Sequence, residues 1–353
     1  MLRFLALGFA LLGLVAPVYA QKVDGLYEAR LLVPDQSAAA RSDAAQQGLQ
    51  QVLVKVSGQR ATLQNPRVLT ALAKADVYVS QFGYATLGRD EWTPEISSST
   101  RWLNLSFEPT AISRILKEAG IPLWGENRPT VLVWLASDMG QGRRVVFSNQ
   151  SQDPALTALK NSAQERGVPL LFPIMDLDDQ QALPLENLWG LFSDVISKGS
   201  ERYSPDAILA GRIYPTADKR FSGHWKLIFQ GQEQVVSFEA LPLSDAMAMA
   251  TDLAAGTLAA SFSIKSGAGA SSGAVLEVAG VNSLENYGRF TRYLDGLAIV
   301  KRYEVRRVDQ DRITVYVQLA AGTEQFAQTL KLDKKLSFVS TDEQGTQHYT
   351  WKP

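Results

Sequence analysis

Apolar residues follow two different spacings in the first part of this chain, and these spacings predict strands on either side of a helix. In residues 101–107 (RWLNLSF) apolar and polar side chains alternate, as in a half-buried strand, and residues 26–33 (LYEARLLV) predict a second strand. Between them, five apolar residues recur at steps of three and four, which is typical of one buried helix face. They are Ala45, Leu49, Val52, Leu53 and Val56. We therefore expect an α/β unit over residues 21–127.

A second unit is predicted over residues 128–264. Residues 130–136 (TVLVWLA) form a near-continuous apolar run, which is typical of a strand covered on both faces. Shorter buried strands are predicted at 168–172 and 207–213, a hairpin at 224–239, and helices before and after them. This order of elements predicts a mixed sheet with helices packed against it.

The rest of the chain predicts a linker, a small third unit and a tail. Residues 265–274 (KSGAGASSGA) contain only small residues after Lys265, which is typical of a flexible linker. Residues 275–339 predict a strand, helix, strand, strand, helix, strand order, the βαββαβ pattern of a ferredoxin-like unit. Residues 340–353 are expected to be a tail. The predicted fold class is therefore α/β and α+β in several domains.

The first twenty residues predict a secretory signal peptide. Arg3 precedes an apolar run, and Val18, Tyr19 and Ala20 form a cleavage site of the small-x-small type. This run is short for a helix that must cross a hydrocarbon core of ~30 Å, so cleavage is favoured over anchoring. No cysteine follows the cleavage site, which argues against a lipoprotein. We expect a periplasmic protein without stable membrane insertion.

Charge and composition narrow the classes of function. The chain has 35 basic and 36 acidic residues in a well-mixed pattern, so neither nucleic acid nor an anionic membrane is an expected partner. It has no cysteine and two histidines, which rules out thiol chemistry and makes a zinc site of histidines improbable. We find no G-x-S-x-G motif, and we predict no catalytic residue.

Three carboxylates form the main candidate site. Asp176, Asp178 and Asp179 follow the predicted strand in PLLFPIMDLDDQ, residues 169–180, at the end of the strand where open α/β sheets usually bind ligands. They could hold a divalent cation through oxygen, and a metal-dependent hydrolase is the alternative function. The favoured interpretation is structural: Asp176 caps a helix or pairs with a neighbour such as Arg202 or Arg212, and Asp178 or Asp179 is polar surface at the end of the strand.

Two further features have alternative interpretations. Arg202 and Arg212 lie near strand ends and could bind an anion, although ion pairing inside the fold is favoured. Trp92 lies in a predicted loop (GRDEWTPEISSST), where an exposed indole would mark an interaction surface. Together they suggest a second alternative, a binder of envelope glycans or lipid headgroups.

Several segments resemble a known family. They are KVSG (55–58), IPLWGENRPTVLVWLA (121–136), PLLFPIMDLDD (169–179) and RYSPDAILAGRI (202–213). Together they resemble the proteobacterial "domain of unknown function 2066" family over nearly the whole mature chain. The middle unit is also similar in element order to the amino-terminal domain of TolB, a periplasmic protein of the Tol–Pal system. The first resemblance implies an envelope context and supplies no catalytic residues.

These observations favour a non-catalytic scaffold or accessory protein of the cell envelope. Its expected partner is another envelope protein. No cofactor is expected, apart from the divalent cation considered above.

Overall fold

The computed structural model describes residues 21–88, 91, 96–264 and 272–352. The predicted signal peptide, Trp92 and residues 265–271 of the predicted linker lie outside the described residues. Within these ranges the chain forms a multi-domain fold of mixed α/β type, as predicted from the sequence. No helix in these ranges combines the length and the apolar character needed to span a bilayer.

The first unit is a three-stranded antiparallel sheet with one long helix on one face. Helix α1 starts after Ser37, whose hydroxyl accepts the Ala40 N–H, and ends at Gly58, which has a left-handed φ of 72°. The sheet order is β2-β4-β3. The helices of the first unit that the structure describes lie on the same side of the sheet, where the short helices α2 and α3 complete the core beside α1. The bounds are β2 Glu28–Val33, α1 Ala38–Ser57, α2 Pro66–Leu72, β3 Val79–Ala85, β4 Arg101–Phe107 and α3 Pro109–Glu118.

The middle unit has a mixed six-stranded sheet with helices on both faces. Strand β6 (Val131–Asp138), inside the sheet, is buried along nearly its whole length because its successive side chains pack in two different cores. Val133 packs in a core with two long helices, α4 and α8, whereas Trp134 packs in a core with two short ones, α6 and α7. The sheet order is β11-β10-β9-β6-β7, with β8 also beside β6. Its strands are β6 Val131–Asp138, β7 Arg144–Val146, β8 Leu170–Leu171, β9 Ala207–Pro215, β10 Phe221–Phe229 and β11 Gln232–Leu241. Its helices are α4 Pro154–Arg166, α5 Leu177–Ala182, α6 Leu185–Trp189, α7 Ser193–Ser200 and α8 Leu243–Phe262.

The third unit is a five-stranded sheet that corrects two predicted boundaries. Its order is β13-β14-β12-β16-β15. The predicted tail, 340–353, contains the end of β15 and all of β16, which pairs in parallel with β12. The last two residues of the predicted linker, Gly273 and Ala274, belong to β12. The bounds are β12 Gly273–Ala279, α9 Leu284–Asp295, β13 Val300–Asp309, β14 Arg312–Leu319, α10 Thr323–Asp333, β15 Leu336–Thr341 and β16 Gln347–Trp351.

The added strand β16 makes this sheet differ from the predicted βαββαβ unit. Strand β16 lies between β12 and β15, where a ferredoxin-like sheet would place its fourth strand. Tyr349 and Trp351 explain why it is held there, since both are buried in the core of the unit. Two apolar residues at alternate positions are a weak signal, which is why the sequence suggested a tail.

The first two units are joined by backbone pairing at their boundary. Strand β1 (Gln21–Lys22) pairs with β5 (Asn127–Arg128), so the predicted boundary at 127/128 falls inside a strand. Leu123 pairs with Ile264, which ties the segment after α8 to the first unit. These contacts place α4 of the middle unit opposite the uncovered sheet face of the first unit.

Candidate functional site

The acidic stretch ends β8 and begins α5, and its aspartates have different environments. Asp176 is the N-cap of α5 and accepts the Asp179 N–H at 2.9 Å. Both oxygens of Asp176 also accept from the guanidinium of Arg202, at 2.7 and 3.0 Å. The hydrogen bonds from Arg202 lower the pKa of Asp176, because they favour its charged form. Asp178 is exposed in the first turn of the helix.

Asp179 is fully buried and bound by groups from three positions. Arg202 donates to one oxygen at 3.0 Å, and the Tyr203 hydroxyl donates to the other at 2.6 Å. The Met175 N–H donates to that second oxygen, which fixes Met175 at a positive φ of 61°. Burial, and then the hydrogen bond to Asp179, raises the pKa of Tyr203 to about 12. The oxygens of Asp179 are therefore bound inside the fold, which corrects its interpretation as polar surface at the end of the strand.

Arg212 does not take part in this network, which corrects its assignment as a possible partner of the aspartates. Its guanidinium donates to the Trp189 carbonyl at 2.7 Å and lies 3.4 Å from the His224 imidazole. The reason is its register in β9, which places Arg212 opposite His224 in β10. Arg202 and Arg212 therefore do not form one anion site. In the described part of the chain, no group of three histidine, aspartate or glutamate side chains is arranged to hold a metal ion.

A groove with room for a ligand lies between the first two units. We call it the inter-unit groove; its cavity volume is about 1120 Å³. One wall is the uncovered face of β2 and β4, with Arg30 and Trp102, and the other is α4, with Lys160 and Gln164. Leu170 and Phe172, at the end of β8, line its apolar end.

Strand β2 forms one edge of its sheet. Within the described residues β2 pairs with β4 alone, and the Phe107 N–H donates to the Tyr27 carbonyl, which sets the phase of the ladder. Because hydrogen-bonded pairs alternate along antiparallel strands, the backbone groups of Arg30 and Leu32 point away from β4. Such an edge can pair with an added extended segment.

An aromatic side chain with charged neighbours lies beside this edge. The Arg30 guanidinium lies 4.3 Å from the centre of the Trp102 ring. The indole N–H of Trp102 donates to Glu91 at 2.9 Å, and this bond lowers the pKa of Glu91. Across the groove the Lys160 ammonium lies 5.2 Å from the centre of the Phe172 ring. The groove thus combines aromatic surface with charges of both signs.

Lys55 lies on the floor of the groove. Its ammonium donates to the Glu28 carbonyl at 2.9 Å and to the Gly25 carbonyl at 3.2 Å, which fixes the turn that leads into β2. Burial, followed by the nearby Arg128 charge, lowers the pKa of Lys55 to about 8.

Two buried arginines hold the walls of the groove together. Arg128 donates to the carbonyls of Lys55, at the end of α1, and of Arg166 and Gly167, at the end of α4. It also donates to the carbonyls of Trp124 and Gly125. Cations are favourable at helix C-termini, where carbonyls lack partners in the helix. Arg166 donates to the Gly58 carbonyl and pairs with Asp252 at 2.8 Å.

The sequence interpretation missed the inter-unit groove because its walls are far apart in the chain. One signal was available in RWLNLSF: Leu103, Leu105 and Phe107 define the buried face, so Trp102 must lie on the opposite face with polar residues. An indole on the polar face of a strand indicates a surface on which another part of the protein or a ligand can pack. Nothing in the sequence around α4 indicated that it forms the facing wall.

Comparison with known proteins adds little about function. The family DUF8605, described as a domain of unknown function, matches residues 20–125, which is less than half of the chain. No curated protein matches. The resemblance to the 2066 family and to TolB stays a prediction.

Solved structures show only remote likeness. A competence-damaged protein (CinA) superfamily protein from Escherichia coli is 13% identical, with 42% of this chain and 84% of that chain covered and a TM-score of 0.23. A competence or damage-inducible protein from Enterobacter asburiae is 10% identical, with 43% and 93% covered and a TM-score of 0.22. Scores this low carry no argument about this chain.

Proposed function

We propose that this protein is a non-catalytic periplasmic protein of the Gram-negative envelope that binds an extended segment of another envelope protein in the inter-unit groove. The observation that carries the proposal is the outer edge of β2, which no other strand of the described ranges covers, in the inter-unit groove beside the Trp102 indole. Backbone pairing supplies affinity in this mode of recognition, and side-chain pockets supply specificity.

The rigidity of the groove supports binding. Arg128 and Arg166 connect the two walls through buried hydrogen bonds, so the walls are already in place before a ligand arrives. Preorganisation improves affinity because less conformational entropy is lost on binding. Charges of both signs on the walls fit a polypeptide better than a uniformly charged ligand.

The state of the acidic stretch supports a non-catalytic function. A hydrolase centred on Asp176, Asp178 and Asp179 would need carboxylates that are free to hold an ion. Two of the three are bound to Arg202, and Asp179 is bound to Tyr203 as well.

Site-specific photo-crosslinking in cells tests the binding site. A photoreactive amino acid at exposed Gln164, which lines the groove, should give a discrete protein adduct. The same residue at exposed Gln232, on β11 and away from the groove, should not. Arg30→Glu should reduce the adduct at Gln164 several-fold, because it removes the cation beside Trp102.

Equal adducts at the two positions, or an adduct at Gln164 that Arg30→Glu leaves unchanged, would contradict the proposed site. The location is tested separately by N-terminal sequencing of the protein in a periplasmic extract. We expect a mature protein that begins at Gln21; recovery only from the cytoplasm with the first twenty residues retained would contradict export.

A further inference from the structure

The two edges of the third sheet differ in charge. Both edge strands are bulged, β13 twice and β15 once between Phe338 and Ser340, but β13 also carries four basic residues, which discourage pairing with other strands. They are Lys301, Arg302, Arg306 and Arg307. Edge strand β15 (LSFVST) has no charged residue, and it exposes Phe338 and Val339 by 59% and 62%. An exposed apolar edge is a site where a further strand can be added.

In the part of the chain that the structure describes, no strand pairs with the outer side of β15. Its inner neighbour is β16, and the Lys352 N–H donates to the Lys335 carbonyl, which fixes the phase of that ladder. Backbone groups of Leu336 and Phe338 consequently point away from β16. The side chain of Phe338 is held in place by Tyr349, whose ring centre lies 5.6 Å from its own.

The charges around β15 indicate which strand would fit. The stretch KKLSFVSTDE, residues 334–343, places lysines before the strand and acidic residues after it, with Phe338 and Val339 at its centre. The acidic residues begin the turn after β15, where the Asp342 carboxylate accepts the Gln344 and Thr346 N–H groups. If a second copy pairs antiparallel about the centre of β15, Lys335 of each copy lies at the same end of the contact as Glu343 of the other. Phe338 and Val339 of one copy then pack against the same residues of the other. Opposite charges across strands stabilise pairing, whereas like charges oppose it.

We propose that the protein forms a two-fold symmetric homodimer through antiparallel pairing of β15 with β15 of a second copy. The third sheets of both copies join into one continuous sheet. A two-fold contact uses the same surface on both copies, so a segment whose charge changes sign about an apolar centre is self-complementary. This inference is independent of the inter-unit groove, which lies between the other two units.

The mass of the purified mature chain in solution tests the dimer. Analytical ultracentrifugation over a range of concentrations should show reversible association toward twice the monomer mass. Val339→Lys, at an exposed position, should shift the dissociation constant by at least tenfold. Val308→Lys, at a 57% exposed position on β13, should leave it unchanged. Circular dichroism spectra that match the parent chain confirm that both variants fold.

The pairing direction is tested by charge reversal. Lys335→Glu alone and Glu343→Lys alone should each weaken association, because each brings like charges together, and the double variant should restore it. A monomer at all concentrations, a dimer that tolerates Val339→Lys, or a double variant weaker than both single variants would overturn the proposal.

The absence of cysteine in the chain permits a second test that does not depend on affinity. Val339→Cys introduces the sole thiol at the proposed two-fold axis, so mild oxidation should give a covalent dimer. Val308→Cys is the matched control and should remain monomeric. Equal cross-linking of both variants would indicate random collision and would overturn the proposal.

Discussion

At the scale of single residues, the role of each aspartate in the acidic stretch depends on the hydrogen-bond donors that the fold places next to it. Asp176, Asp178 and Asp179 are near neighbours in the sequence, yet one is a helix cap, one is exposed and one is fully buried. The helical path of α5 separates them, since successive residues of a helix face different directions. The three aspartates are close together in the sequence, but their side chains do not point toward one common ligand.

Asp179→Ala should destabilise the protein strongly, whereas Asp178→Ala should not. The first substitution leaves the Tyr203 hydroxyl and part of Arg202 without their buried partner, which typically costs about 3 to 5 kcal/mol. The second removes an exposed carboxylate and should change stability by less than about 0.5 kcal/mol. Urea unfolding followed by circular dichroism measures both. Equal stability of the two variants would show that the Asp179 network contributes nothing.

Lys55 should make stability depend on pH in the alkaline range. Its pKa is about 8 in the folded state and has the ordinary value of 10.5 in the unfolded chain, so between these values the unfolded chain binds more protons. The contribution of Lys55 to the free energy of unfolding therefore increases as the pH rises from 8 toward 10.5. Urea unfolding at several pH values should show this increase in the parent chain and in Lys160→Met, and its loss in Lys55→Met. The same slope in Lys55→Met would contradict the assignment.

At the scale of elements, the sequence predicted best where one pattern ran over many residues. The apolar stripe of α1 and the continuous apolar run of β6 each correspond to an element of the structure. Short elements were less predictable because long-range pairing decides them. Strand β8 has two residues where five were predicted, and β16 was predicted as part of a tail.

Strand β16 should be needed for the stability of the third unit. Trp351→Ala removes a buried ring that packs against Phe290 and Tyr293, and we expect a loss of about 3 to 5 kcal/mol. Thr350→Ala, at the neighbouring exposed position, is the control and should cost less than about 1 kcal/mol. Urea unfolding followed by circular dichroism compares the two. A small, equal effect of both substitutions would show that the strand is dispensable.

At the scale of the whole molecule, the first two units behave in the structure as a connected pair. The sequence interpretation placed their boundary between residues 127 and 128, but it did not identify the arginines that join the two units. Arg128 lies at the predicted boundary and contacts carbonyls on both sides of it. The inter-unit groove depends on this junction, so it could not be predicted from either unit alone.

Arg128→Met should uncouple the two units. The substitution leaves carbonyls at the ends of α1 and α4 without their buried donor, so we expect the single calorimetric transition of these units to split or broaden. Arg143→Met, at an exposed turn, should leave the transition unchanged. An unchanged transition in Arg128→Met would show that the units are coupled by other contacts.

The position of β16 also has a consequence for the order in which the third sheet assembles. Strand β15 precedes β16 in the chain, but it reaches β12 only through β16. During synthesis β15 therefore cannot join the sheet, and its Leu336 side chain cannot reach full burial, until the following strand has emerged and docked. Closing such a long-range parallel contact is slow. The refolding rate of this unit should accordingly be sensitive to chaperones that shield apolar strands.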